Sequence, residues 1–366
     1  MTDVVVIGAG IVGAACAYYA AAVGLSVVVV DRGPLAGGTT SAGEGNILLS
    51  DKEPGPELSF GLLSNRLWRS LDIGPIELEA KGGLMVAPTE AAMSTLDKLA
   101  AAQREWGVAA TRVASLSDYE PRIHPGLLGG MYYPQDLQVQ PMLATARLLR
   151  GHTVHYGHPV TGIETAHGRV VAVRTTERRI PTGAVVNAAG VWAGAVAGLA
   201  GVSLPIAPRR GFVLVTEPLP PLVRHKVYAA DYVANVASGS ADLQASAVIE
   251  GTPAGTILIG ASRERVGFDR TFALPVLRRL ASQAIALFPF LATVTLLRAY
   301  RGFRPYSPDH LPIVGPDPRV PGLFHACGHE GAGIGLAPAT GHLMAQLLTA
   351  SAPDLDLTPF APERFA

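Results

Sequence analysis

Three glycines near the start of the chain have the spacing Gly8-x-Gly10-x-x-Gly13, and Asp31 follows 23 residues after the first of them. The first glycine permits a tight turn, the second lets backbone approach a pyrophosphate, and the third lets a helix pack closely on a strand. The helix N-terminus presents free N–H groups to the phosphates, and an acid at Asp31 suits the ribose hydroxyls. The motif predicts a dinucleotide site, for either FAD or NAD.

The residues around this motif have the pattern of a strand, a turn, a helix and a second strand. Residues 4–7 and 27–30 are β-branched runs without charge, which is typical of parallel strands buried on both faces. Patterns further along predict helices at 60–72, 90–106, 141–150, 273–288 and 338–349. Strand patterns predict 82–87, 131–133, 153–156, 159–164, 169–175, 185–187, 211–216, 246–250 and 256–261.

This order predicts a nucleotide-binding domain assembled from separated segments, with a second domain inserted between them. We assign 1–80, 140–210 and 296–366 to the cofactor domain, and 81–139 and 211–295 to a substrate-binding domain. The fold class is α/β: a Rossmann-type domain with an inserted α+β domain on a mostly antiparallel sheet.

Composition excludes several classes of protein. The 366 residues carry 29 basic and 29 acidic side chains, so no net field attracts nucleic acid or anionic membrane. The uncharged stretch 4–30 is broken by its glycine turn, and no basic n-region precedes it, so we predict neither a membrane span nor a signal peptide. We expect a cytoplasmic protein. Its two cysteines form no disulfide framework, and His152, His155 and His158 lack helical spacing, so no metal site is predicted.

Motifs spread over nearly the whole chain resemble the D-amino-acid-oxidase-type flavoproteins. That family includes glycine oxidase, sarcosine oxidase, hydrogen cyanide synthase and the flavin subunits of proline and hydroxyproline dehydrogenases. The motifs are Gly8–Gly13, Asp31, Thr40-Ser41, Val160, 187–192 (NAAGVW), 301–309 (RGFRPYSPD) and 328–341 (GHEGAGIGLAPATG). The last two stretches are most similar to the hydroxyproline and proline dehydrogenase subunits.

The resemblance implies FAD, with its adenosine on Gly8–Asp31 and its adenine beside the Val160 backbone. The small, hydroxyl-rich loop after Asp31 would pass the flavin, and Gly331–Ile334 would meet its pyrimidine end, where helix N–H groups stabilise negative charge on the reduced ring. The cofactor contacts expected are Gly8, Gly10, Ile11, Val12, Gly13, Asp31, Arg32, Thr39, Thr40, Ser41, Gly43, Glu44, Gly45, Asn46, Val160, Ala189, Gly190, Trp192, Gly302, Arg304, Glu330, Gly331, Ala332, Gly333 and Ile334. Gly302 stands where sarcosine oxidase has a flavin-bonded cysteine, so the FAD is predicted to be non-covalent.

The resemblance also implies a substrate site. Arg304 would bind the substrate carboxylate, because a guanidinium matches a carboxylate bidentately. His329 and Glu330 would touch the flavin, polarise the amine or cap the helix. Tyr306 would close the pocket or belong to the core, and Glu44 would lie near the flavin or face solvent. The catalytic candidates are Arg304, His329 and Glu330, and the substrate candidates are Arg304, Tyr306, Val248 and Glu44.

Val248 stands about where glycine oxidases carry a tyrosine, which predicts an apolar pocket suited to a pyrrolidine ring. The function expected is FAD-dependent oxidation of an amino acid or secondary amine by a hydroxyproline- or proline-like dehydrogenase. The alternatives are a glycine- or sarcosine-type oxidase that forms hydrogen peroxide, and a flavin subunit of a larger complex with partner subunits. The electron acceptor is left open.

Overall fold

The computed structural model describes residues 2–365, in which two large β-sheets are packed with helices. Numbered along the chain, the helices are α1 (Ile11–Ala22), α2 (Pro56–Ser70), α3 (Glu90–Arg104), α4 (Pro141–Leu148), α5 (Ala193–Gly198), α6 (Tyr232–Ala237), α7 (Leu274–Leu287) and α8 (Gly333–Leu348). A two-stranded ribbon joins β3 (Asn46–Ile47) to β7 (Leu137–Gln138).

The first sheet contains the glycine motif. Its strands are β1 (Thr2–Ile7), β2 (Val27–Asp31), β8 (Thr153–Tyr156), β9 (Val160–Ala166), β10 (Arg169–Thr175), β11 (Arg179–Asn187), β17 (Ile313–Pro316) and β18 (Leu323–Cys327). The order β17-β18-β11-β1-β2-β8 is parallel except at β17, and β9 and β10 extend from β11 as an antiparallel pair.

Alternation along β1 explains why this strand is apolar throughout. Val4 and Val6 pack with α1 and α8 on one face of the sheet, whereas Val5 and Ile7 pack with α5 on the other. Both faces are therefore covered, as the sequence predicted for a buried parallel strand. The arrangement places the β1–α1 turn at the carboxyl edge of the sheet, where open α/β sheets bind ligands.

The second sheet is mostly antiparallel. Its strands are β4 (Gly83–Ala87), β5 (Thr111–Val113), β6 (Gly129–Tyr133), β12 (Ala207–Thr216), β13 (Lys226–Ala229), β14 (Gln244–Gly251), β15 (Ile257–Arg263) and β16 (Leu296–Tyr306). The order is β16-β12-β15-β14-β13-β4-β6-β5. Helix α7 packs on one face and α3 on the opposite one.

Strand β16 departs from the domain division predicted above. It pairs with β12 along almost its whole length, from Tyr306 opposite Ala207 to Leu296 opposite Thr216. Residues 296–306 therefore belong to the second sheet, although the prediction assigned them to the cofactor domain. The division itself stays a prediction.

None of the helices within residues 2–365 has the length and apolar character that crossing a membrane requires.

Candidate active site

A cavity of about 1100 Å³ begins at the β1–α1 turn and ends between the loop 42–46 and strands β12 and β16. Small-molecule sites usually occupy roughly 300–1,000 Å³, so this space is large enough for an extended cofactor and a small substrate together. Residues from both sheets form its walls, which brings segments far apart in the sequence to one site.

Most of the residues predicted from the sequence line this cavity. They are Gly8, Gly10, Ile11, Val12, Asp31, Arg32, Thr39, Thr40, Gly43, Glu44, Asn46, Val160, Ala189, Gly190, Trp192, Gly302, Arg304, His329, Glu330, Gly331, Gly333 and Ile334. Others predicted to make contact lie behind the wall: Gly13, Ser41, Gly45, Val248, Tyr306 and Ala332. Their direct contacts with cofactor or substrate remain predictions.

The β1–α1 turn fits a pyrophosphate. The backbone N–H groups of Val12 and Gly13 have no hydrogen-bond partner in the part of the chain that is described, residues 2–365. Orphan amides at a helix start form an anion site. Asp31 accepts hydrogen bonds from the amides of Ala9 and Gly33, both at 2.7 Å, and a carboxylate retains capacity for further donors such as ribose hydroxyls.

The loop after the turn is fixed from both sides. The Thr40 hydroxyl accepts a hydrogen bond from the Ile11 amide at 3.0 Å, and Thr39 donates to the Phe303 carbonyl at 2.7 Å. The Tyr300 hydroxyl donates a hydrogen bond to the Gly43 carbonyl at 3.1 Å. This residue was not predicted from the sequence. Strand β16 therefore holds the loop against the cavity.

Glu44 is buried, so the expectation that it faces solvent is wrong. Its side chain is 6% exposed, and Oε1 has no partner within residues 2–365. Oε2 accepts only a long hydrogen bond of 3.4 Å from Asn46. A Cβ at Gly260 would lie 2.6 Å from Oε1, so the glycine on β15 makes room for the carboxylate. Burial raises the pKa of Glu44, although Lys226, Arg304 and Arg263 oppose that rise.

A buried ion pair lies behind Glu44. Lys226 on β13 pairs with Glu250 on β14, and each is 1% exposed. Glu250 also accepts a hydrogen bond from the Gly45 amide at 3.3 Å, which ties the pair to the loop that carries Glu44. Burial lowers the pKa of Lys226, against the opposing charge of Glu44. No sequence pattern predicted a role for Lys226, because its partners depend on strand pairing.

Arg304 projects from β16 into the cavity with most of its donors free. Its Nη1 donates to the Ser262 carbonyl at 2.7 Å, and it has no salt bridge among residues 2–365. Burial lowers the pKa of Arg304, and the nearby Arg263 lowers it further. A partly buried guanidinium without an acidic partner is a strong binding site for an incoming carboxylate.

Glu330 lines the cavity but uses both carboxylate oxygens elsewhere. One pairs with Arg209, which is fully buried, and the other meets His310 Nδ1 at 3.0 Å. Burial acts to raise the pKa of Glu330, but His310 and Arg209 lower it overall. Gln244 and the Ser238 carbonyl complete the partners of Arg209. This arrangement favours a positioning role for Glu330 over proton transfer.

His329 is buried and neutral. Its Nε2 lies 3.0 Å from the Thr340 hydroxyl, which itself donates to the Leu336 carbonyl, so Nε2 carries the hydrogen. Burial lowers the pKa of His329 from 6.5 to about 3. An imidazole held in this way is a poor proton acceptor near neutral pH.

This environment predicts a specific loss of stability in acid. Between pH 6.5 and 3 the unfolded chain binds a proton at His329 that the folded chain does not, so stability falls as the pH falls through this window. At pH 5 the contribution is about 2 kcal/mol, at roughly 1.4 kcal/mol per pH unit. We expect a His329→Gln variant, measured by urea unfolding at pH 7 and pH 5, to lack that loss. Equal losses in both proteins would contradict a neutral, buried His329.

Val248 and Tyr306 lie outside the cavity wall. Val248 is fully buried on the α3 face of the second sheet with Tyr228 and Met85, so it packs in a core instead of lining a pocket. Tyr306 is 6% exposed and lies beneath the guanidinium groups of Arg209 and Arg265. The apolar pocket inferred from Val248 therefore has no basis in this geometry.

A βαβ nucleotide site opening into a cavity with buried opposite charges defines a cofactor-dependent enzyme. The family model DAO, FAD dependent oxidoreductase, matches residues 3–347. The chain belongs to this family of FAD-dependent oxidoreductases, and FAD is its cofactor. The family, fold class and cofactor predicted from the sequence are thus confirmed.

Individual relatives differ in their described activities. The hydrogen cyanide synthase subunit HcnC of Pseudomonas protegens is 35% identical over 263 residues, 69% of this chain and 59% of that protein. This chain thus spans less than two thirds of HcnC. Glycine oxidase of Pseudomonas putida is 29% identical over 388 residues, 99% of this chain and 98% of that protein.

Solved structures give the same fold. Glycine oxidase from Geobacillus kaustophilus has a TM-score of 0.89 at 27% identity, covering 98% of each chain. L-proline dehydrogenase from P. horikoshii has a TM-score of 0.90 at 23% identity, covering 100% of this chain and 97% of that one. At 23% identity, the similarity to L-proline dehydrogenase shows a shared fold alone.

Proposed function

We propose that this enzyme oxidises the C–N bond of an amino acid. The observation that carries the proposal is the pair Glu44 and Arg304, which line one cavity with opposite charges and unused hydrogen-bonding capacity. An amino acid offers the matching pair, an ammonium and a carboxylate. FAD, when bound, supplies a ring that accepts a hydride.

The chain's own residues would bind and orient the substrate. Arg304 would take the carboxylate in a bidentate contact, which fixes the α-carbon relative to the cavity. Glu44 would accept hydrogen bonds from the ammonium and hold the proton that the amine must lose before oxidation. The raised pKa of Glu44 supports this second role, because a carboxyl that titrates closer to neutral pH exchanges protons more readily.

The cofactor contacts predicted from the sequence complete the proposal. The free amides of Val12 and Gly13 would hold the pyrophosphate, and Gly331 and Gly333 at the start of α8 would face the pyrimidine end of the flavin. Gly302 offers no nucleophile, which supports a non-covalent cofactor.

Two substrate families remain candidates. Proline-like cyclic amines are favoured by the resemblance of residues 301–309 and 328–336, and glycine or sarcosine by the similarity to glycine oxidase. The polar side chains of Glu44 and Arg304 line the substrate end of the cavity, which does not favour the apolar pyrrolidine pocket predicted from Val248. A role as the flavin subunit of a larger assembly is a third candidate, since HcnC is described as a subunit. A cytoplasmic location stays a prediction.

A Glu44→Gln variant tests the amine contact. Glutamine keeps the shape beside Gly260 but cannot hold a negative charge, so we expect the dissociation constant of an amino acid to rise about 10- to 100-fold, the range for a hydrogen bond to a charged group. The measurement is the perturbation of flavin absorbance under anaerobic conditions.

A carboxylic acid without an amine serves as the control ligand. Its affinity for the Glu44→Gln variant should be no weaker than for the wild type, because Arg304 is intact. If both ligands weaken equally, Glu44 shapes the site and does not contact the amine.

A further inference from the structure

Arg263 at the end of β15 carries a buried charge that no acid in the described residues 2–365 pairs with. Its side chain is 4% exposed, and its guanidinium makes neither hydrogen bond nor salt bridge within that range. The guanidinium lies over the Tyr232 ring, whose centroid is 5.2 Å from Cζ. An unpaired buried cation is strongly unfavourable, so it needs a compensating anion.

Two neighbouring arginines have acidic partners within the fold. Arg209 pairs with Glu330, and Arg210 pairs with Glu264 and Asp269. These arginines lie on β12, which pairs with β15. Arg263, like Arg304, therefore differs from these two arginines in having no acidic partner among residues 2–365.

The unpaired guanidinium lies next to the substrate end of the cavity, although Arg263 itself does not form part of the cavity wall. Tyr232, over which it lies, lines that cavity, and Arg304 bonds to the carbonyl of Ser262, the residue before Arg263. The two arginines are close enough for Arg263 to lower the pKa of Arg304. Glu44 is near both, but it forms a salt bridge with neither among residues 2–365.

Pairing the guanidinium groups of both Arg304 and Arg263 then requires two anions at the substrate end of the cavity. The carboxylate of an ordinary amino acid would satisfy Arg304 and leave Arg263 unpaired. Binding of a ligand is favoured when it neutralises a buried charge that is otherwise unpaired.

We propose that Arg263 binds a second carboxylate of the substrate, so that the preferred substrates are amino acids bearing two acidic groups, such as N-carboxyalkyl amino acids. The inference rests on the proposed function and specifies its substrate class. Arg304 would hold the α-carboxylate, Arg263 the second one, and Glu44 the amine between them.

Two unreactive ethers test the inference through binding. Oxydiacetate and methoxyacetate differ by one carboxylate and contain oxygen in place of the amine nitrogen, so neither is oxidised. We expect the holoenzyme to bind oxydiacetate about 30-fold or more tightly than methoxyacetate, judged by flavin absorbance and by the rise in Tm. Equal affinities would overturn the inference.

Substitution of Arg263 tests whether this residue causes the preference for oxydiacetate over methoxyacetate. Arg263→Met should abolish the advantage of oxydiacetate and leave methoxyacetate binding unchanged, and Arg263→Lys should keep part of it. Arg265→Met is the matched control, because Arg265 is next but one in sequence and bonds to the Gly239 carbonyl. That variant should keep the full preference. If Arg263→Met weakens both ligands equally while the lysine variant does not rescue binding, the residue is structural and the inference fails.

Failure of the inference is distinguishable from failure of the proposed function. If monocarboxylate amino acids reduce the flavin rapidly and the two ethers bind alike, amino-acid oxidation stands and the second carboxylate site is wrong. If no amino acid reduces the flavin, the proposed function fails, whichever ether binds.

Discussion

Replacing Arg304 with methionine is expected to lower kcat/KM for an amino-acid substrate by about 30-fold to several-thousand-fold. Removing one partner of a buried, hydrogen-bonded charge pair costs roughly 2–5 kcal/mol. Arg304 is partly buried and makes one hydrogen bond, to the Ser262 carbonyl, among residues 2–365, so the bound substrate would lose its main anchor. Steady-state kinetics on FAD-loaded protein measures the effect.

Arg298→Met is the matched control for this substitution. Arg298 lies on the same strand, β16, but is exposed and lies over the Tyr300 ring. We expect its kcat/KM to stay within about twofold of wild type, as is usual for surface substitutions. A folded, FAD-loaded Arg304→Met variant with unchanged kcat/KM would show that the carboxylate binds elsewhere.

Gly13→Ala is expected to abolish FAD binding. A Cβ at Gly13 would lie 1.9 Å from the Gly8 carbonyl oxygen, which is backbone and cannot rotate away. The β1–α1 turn would have to move, and with it the free amides of Val12 and Gly13 that fit the pyrophosphate. The measurement is the amount of FAD released per purified chain, expected to fall close to zero.

Gly183→Ala provides the control for this loss. Gly183 lies in β11 of the same sheet, and no heavy atom lies within 4 Å of a Cβ built there. This variant should retain its FAD. Circular dichroism of the Gly13→Ala protein distinguishes lost cofactor from lost fold. A Gly13→Ala protein that keeps one FAD per chain would show that the turn tolerates the change and that its geometry does not govern FAD binding.

The nucleotide-binding unit was predictable because its determinants are local. Residues 4–31 contain the β-branched runs, the glycine spacing and the acid, and the structure has β1, α1 and β2 where the pattern predicted them. Each of these features acts through neighbours in the sequence, so no long-range pairing had to be known.

The start of α8 was predicted about five residues too late, and the reason is Pro338. Proline lacks an N–H and normally begins or breaks a helix. Here it lies inside α8, which begins at Gly333. The carbonyl of Ile334 that loses its helical partner accepts a hydrogen bond of 3.2 Å from Trp68 on α2. A partner 266 residues away cannot be inferred from the local pattern.

The charged residues at the substrate end were only partly predictable. Arg304 and Glu44 lie in motifs, whereas Arg263 and Lys226 lie on strands whose neighbours depend on the register of β13, β14 and β15. Val248 was selected for its position along β14, but its side chain packs among buried apolar residues such as Tyr228 and Met85 and does not line the cavity. Which face a strand residue takes depends on pairing that the sequence alone does not specify.

Anaerobic reduction of the bound flavin tests the central claim most directly. Glycine, sarcosine, iminodiacetate and both enantiomers of proline and hydroxyproline are added in turn, each beside the amine that lacks all of its carboxylate groups. We expect at least one amino acid to bleach the flavin absorbance, and its decarboxylated counterpart to do so at least about 30-fold more slowly, since Arg304 would have no partner. Equal rates for the two compounds, or no bleaching by any amino acid of a flavin that dithionite reduces, would contradict it.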